Sequence, residues 1–107
     1  MAIKINNDAI EYTKGDTFEL IVESDSGFEE GDTLKLIIAD SETAAAKINN
    51  TYALNADGTF TITLSERDKQ NLSIRTYLYK IIHTNIVGNI VTKFSGEFIV
   101  WMKANSN

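Results

Sequence analysis

Apolar and polar residues alternate along most of this chain. In residues 18–22, Phe18, Leu20 and Val22 fall on one face; in residues 34–39, Leu34, Leu36 and Ile38 do the same. A period of two is that of a half-buried strand. The plainest case is 60–64, where Phe60, Ile62 and Leu64 point one way and Thr61 and Thr63 the other. Tyr77, Tyr79 and Ile81 share a face while Leu78 and Ile82 take the opposite one, so this strand is expected to be covered on both sides. Segments 90–94 and 98–102 follow, and Ser95-Gly96 between them reads as a bulge or bend rather than a reversal.

Turn residues punctuate these runs. Gly15-Asp16-Thr17 and Gly31-Asp32-Thr33 each lead into a strand, Asp57-Gly58 is a hairpin-turn signal, and Val87-Gly88-Asn89 marks another turn. Two stretches leave the pattern. Residues 65–71 carry no apolar side chain, and Ser65 followed three residues later by Asp68 is a capping pattern. This predicts one helical turn crossing between sheets. Residues 41–48 contain Ala44-Ala45-Ala46 and read as a loop or a single turn, too short for an isolated helix. The sum predicts an all-β fold: an immunoglobulin-like β-sandwich of about seven antiparallel strands. Phe60, Ile62, Leu64, Tyr77, Tyr79 and Phe98 are its expected structural residues. Tyr77 resembles the tyrosine corner of such folds.

Composition narrows the function. A chain of 107 residues is read as a single domain, 1–107, with 103–107 a polar tail. It has no cysteine, so disulfides and thiolate metal sites are excluded. The net charge is −5 and the ten Lys and Arg are scattered, which speaks against nucleic acid and against an anionic membrane surface. The opening residues lack an apolar signal core and no apolar run approaches membrane-spanning length, so neither a secretion signal nor a span is expected.

Candidate chemistry is sparse. His83 is the single histidine, with no second His or Cys to build a zinc site and no triad around it. No catalytic residue, cofactor or enzymatic activity is expected. Glu23, Asp25, Glu29, Glu30 and Asp32 place five carboxylates within ten residues. Calcium takes six to eight oxygens, but the spacing matches no EF-hand loop; a solvated acidic loop that could meet a basic partner is preferred. Trp101, Phe98 and Tyr12 could form a sugar-stacking platform. Against that, Trp101 shares a face with Ile99, and an apolar second face marks a contact surface. Ile99, Trp101, Glu29 and Glu30 are the interface candidates.

From Gly15 to Val100 the chain also resembles a known family. The carrying residues are Gly15-Asp16-Thr17, Gly31-Asp32-Thr33, Asp57-Gly58, Phe60-Thr61-Ile62-Thr63-Leu64, Asp68, Leu72, Thr76-Tyr77-Leu78-Tyr79-Lys80-Ile81 and Gly96-Glu97-Phe98-Ile99-Val100. They are similar to the small immunoglobulin-like domain at the start of bacteriophage baseplate upper proteins and related tail components. Arg75 stands where that family has Gly. The resemblance implies a virion structural protein, an adaptor mediating assembly in a baseplate, a tail or a head decoration. It would be made in the host cytoplasm and located in the virion, with other virion proteins or copies of itself as partners. The alternative expectation is a glycan-binding sandwich that recognises host cell-surface polysaccharide.

Overall fold

The alternating segments form strands because each can turn its apolar half onto a common core while its polar half stays wet. The computed structural model describes residues 9–23 and 27–102. Among these are β1 (Ile10–Thr13), β2 (Glu19–Val22), β3 (Thr33–Ala39), β4 (Ala46–Ala53), β5 (Phe60–Thr63), α1 (Glu66–Gln70), β6 (Thr76–Thr84) and β7 (Ile90–Trp101). Five strands form one sheet in the order β1-β7-β6-β3-β4, and β2 pairs with β5 in a second. The architecture is the expected immunoglobulin-like β-sandwich. One pairing departs from the antiparallel rule: β1 runs parallel to β7, with Ile10 opposite Phe98 and Tyr12 opposite Val100.

The core lies between the sheets. Leu34, Leu36 and Ile38 of β3, Tyr77, Tyr79 and Ile81 of β6, and Phe98 and Val100 of β7 are buried, as are Leu20, Val22, Phe60 and Ile62 of the small sheet. Each such side chain contributes about 1.5–3 kcal/mol on burial. Tyr12, Phe18 and Phe98 form an aromatic group at one end, with Tyr12 and Phe18 edge to face at 5.6 Å. Tyr77 Oη accepts the Ser73 N–H at 2.7 Å, four residues upstream, and so makes the corner the sequence indicated.

The helical turn forms as its cap requires. Ser65 Oγ accepts the Asp68 N–H at 3.1 Å, and Asp68 Oδ2 accepts the Ser65 N–H at 3.2 Å, a reciprocal capping box. Lys14 Nζ donates to the carbonyls of Lys69 and Leu72 at the other end of α1, tying it to the β1–β2 turn.

Three expectations are corrected. Residues 46–48 belong to β4, not to a loop, and β4 continues to Ala53. Its polar side chains are held from outside: Asn50 Nδ2 donates to Asp68 Oδ2 at 2.8 Å, and Tyr52 Oη donates to the Thr63 carbonyl at 2.6 Å. Asp57-Gly58 is a turn, with Gly58 at φ +84°, but the strands it joins lie in different sheets rather than forming a paired hairpin. β7 runs through Ser95-Gly96 unbroken. The irregularity is upstream, where Phe94 pairs with Ile81 but Thr92 pairs with Ile82, leaving one extra residue on β7.

Candidate functional site

Three connections leave the sandwich at one end. The registers Val22 with Phe60, Thr33 with Ala53 and with Thr84, and Thr84 with Ile90 bring the ends of β2 to β7 together there. Residues 27–32, 54–59 and 85–89 therefore form a loop cluster at the ends of these strands. In immunoglobulin-like sandwiches such loop ends carry the variable chemistry, because a loop can change without disturbing the core. A groove of about 600 Å³ runs between the first two loops, lined by Phe28, Glu30, Gly31, Leu54 and Asn55 among others.

A buried acid–imidazole pair fastens this end. Asp32 is 5% exposed. Its Oδ2 accepts the Glu29 N–H at 3.0 Å and the His83 Nε2–H at 2.9 Å. Glu29's amide is the first cause holding the Asp32 carboxyl below its ordinary value; His83 adds to it, burial opposes it, and the Ile86 N–H adds a little. One side chain thus links the β2–β3 loop to β6. Phe28 packs edge to face on His83 at 5.0 Å and on Phe60 at 4.8 Å, which seats the loop on the core.

The β6–β7 turn is shaped by Asn85 and Gly88. Asn85 Oδ1 accepts the Val87 and Asn89 N–H groups at 3.1 and 2.9 Å, and Gly88 takes φ +96°. Gly31, at φ +95°, leaves room for Ile86, whose Cδ1 would lie 2.7 Å from an added Cβ. The turn and its flanks carry Ile86, Val87, Ile90 and Val91 at 67, 76, 70 and 50% exposure. Four aliphatic side chains in six positions, left in water, mark a contact surface.

The expected site residues fall in different places. Glu23, Glu29 and Glu30 are exposed in or beside the β2–β3 loop, but Asp32 is drawn inward to His83; Asp25 lies outside the described residues. No three His, Cys, Asp or Glu side chains come together among the described residues. His83 sits on central strand β6, half-buried, and its partner is 51 positions away, so no local pattern announced the pair. Ile99 is half-buried and Trp101 is 51% exposed, with Trp101 Nε1 donating to Glu11 Oε1 at 2.9 Å. These two lie at the end of β7 opposite Glu29 and Glu30, so the interface candidates form two separate groups. Ile86, Val87, Ile90 and Val91 were not singled out from the sequence; their signal was an apolar run interrupted by a tight turn.

No family model and no curated protein matches the chain. Among solved structures, the fold is similar to that in the crystal structure of CopC from Methylosinus trichosporium OB3b, at a TM-score of 0.58 and 19% identity, over 91% of this chain and 87% of that one. At that identity the likeness establishes the fold. It also corrects the virion expectation: the matched protein is CopC, and nothing found supports a baseplate, tail, head or virion location. The residues that carried the phage resemblance have roles any sandwich needs. Gly15 and Gly31 take positive φ at turns, Phe60 and Ile62 fill the core, Asp68 caps α1, and Tyr77 makes the corner. The glycan alternative fails on geometry, because Tyr12 and Phe98 are 1% and 0% exposed and leave Trp101 without a stacking partner on that platform.

Proposed function

We propose that this chain is a non-catalytic binding domain that engages a protein partner through its loop end. The observation that carries this reading is the exposed aliphatic set Ile86, Val87, Ile90 and Val91 beside the acidic Glu29 and Glu30. Aliphatic side chains gain by packing against another protein's apolar surface. They offer neither the aromatic faces a sugar stacks on nor the cations a phosphate backbone needs. The Asp32–His83 tie supports the reading because a fastened loop loses less entropy on docking than a free one.

The test is a photo-reactive residue at position 87, with the same residue at Thr51 on edge strand β4 as control, irradiated in producing cells. A discrete adduct with one protein from position 87 alone is expected. Equal labelling from both positions, or none from 87, overturns the proposal.

A second reading, that of a small copper-handling β protein, follows from the likeness to CopC. The observation favouring it is the His83–Asp32 couple, which offers one imidazole nitrogen and one carboxylate. The donor set at the couple does not fit a closed copper site: imidazole and soft sulfur donors are what such sites gather, and here there is one His and no Cys, while Met102 lies past the far end of β7. Asp32 Oδ2 already accepts from Glu29 and His83, which leaves its buried Oδ1 as the one free carboxylate oxygen of the couple. Native mass spectrometry with Cu(II) is expected to show no stoichiometric ion. A bound ion that disappears in His83→Ala favours the copper reading instead.

A further inference from the structure

The outer face of the five-stranded sheet has its own pattern. Ile37 of β3, Leu78 and Ile82 of β6 and Ile99 of β7 point away from the core and are half-buried. A groove of about 400 Å³ opens over this strip, with Ala39, Ala44 and Gly96 on its walls. Among the described side chains, the charges on the strands around the strip are segregated by sign, with Glu42 of the β3–β4 loop on the groove wall as the exception. Lys35 and Lys80 stand on β3 and β6; Glu97 and Glu11 stand on β7 and β1. All four are exposed, and none makes an ion pair among the described residues.

We infer that this face docks a second copy of the chain, apolar strip on apolar strip, about a two-fold axis. A two-fold contact sets one patch against itself, so a patch basic on one side and acidic on the other is complementary to its own image. The cations on β3 and β6 of one copy then oppose the anions on β7 and β1 of the other. Opposed like charges would rule the contact out; the segregation avoids that. This surface is separate from the loop end, so a dimer carries two loop ends and gains avidity for a repeated partner.

The experiment is sedimentation velocity over a concentration series, on the full chain and on two charge reversals. Lys80→Glu makes the face uniformly more acidic, and Glu97→Lys makes it more basic. Wild type is expected to dimerise, and each variant alone to dissociate at least tenfold more readily while keeping the wild-type melting temperature. An equimolar mixture of the two variants is expected to restore the dimer, because both opposed pairs regain opposite sign. A wild-type chain that stays monomeric throughout, or a mixture that stays as dissociated as its components, overturns the inference. Neither result bears on the loop-end proposal, which is read by the adduct at position 87.

Discussion

The two ends of the β6–β7 ladder carry similar amounts of apolar side chain and treat it in opposite ways. At one end Tyr77 and Phe98 are sealed beneath Tyr12 and Phe18, and a Tyr77 hydrogen bond closes the corner. At the other, Ile86, Val87, Ile90 and Val91 stand in water, while the polar pair Asp32–His83 holds the backbone beneath them. Apolar content does not decide where the core is. What decides it is whether a second sheet lies above the residue. The small sheet ends at Val22 and Phe60, and its strands do not continue over the turn beyond them.

The comparison can be broken at graded cost. Phe98→Ala at the sealed end is expected to lower stability by about 3–5 kcal/mol, the usual cost of emptying an aromatic core position. A urea melt checks it, and a loss below about 1 kcal/mol would mean that this end is not closed. Gly31→Ala at the open end is expected to cost about 1–3 kcal/mol because the added Cβ must adopt positive φ. Ile86 can swing its tip away, so the backbone, not the contact, sets that loss. Tyr77→Phe removes the Ser73 hydrogen bond and is expected to cost about 1 kcal/mol in the same melt.

Asp32→Asn sharpens the contrast through pH. The folded-state pKa of Asp32 lies below the ordinary 3.8. Its contribution to stability is therefore complete above that value and is lost as pH falls through the folded value. Wild type and Asp32→Asn should differ in Tm at neutral pH and converge on acidification. A constant gap would show that the carboxylate charge is not what fastens the loop. Smallest of all, Val87→Ser is expected to change stability by less than about 0.5 kcal/mol while abolishing the adduct formed from neighbouring position 86. Loss of both stability and adduct would make the open end part of the core.

Much of the fold was legible because its signals are local. The Thr–apolar alternation at 60–64 reads as a strand wherever it is placed, and Ser65 with Asp68 caps a turn using atoms three residues apart. β4 was not legible. Ala46-Lys47-Ile48-Asn49-Asn50 has weak strand propensity, and it becomes a strand because β3 offers it an edge and Asp68 and Thr63 hold its side chains. Of the site, the exposed positions of Glu29, Glu30 and Trp101 agree with the pattern of the chain. The partner of His83 does not, since it comes from another strand's entrance. Tyr12 and Phe98 looked as usable for a sugar as Trp101, because an aromatic residue reads the same in sequence whether a second sheet covers it or not.

By itself, then, the sequence determined which residues face together on each strand, where the chain turns, and that the chemistry is poor in metal ligands. These follow from period, backbone freedom and composition, which neighbouring residues settle among themselves. Tertiary structure alone decided that β1 runs parallel to β7, that Asp57-Gly58 changes sheets, that Asp32 meets His83, and that four aliphatic residues remain uncovered. Each of those depends on which distant segment wins a shared edge or face, and that competition is settled only when the whole core closes.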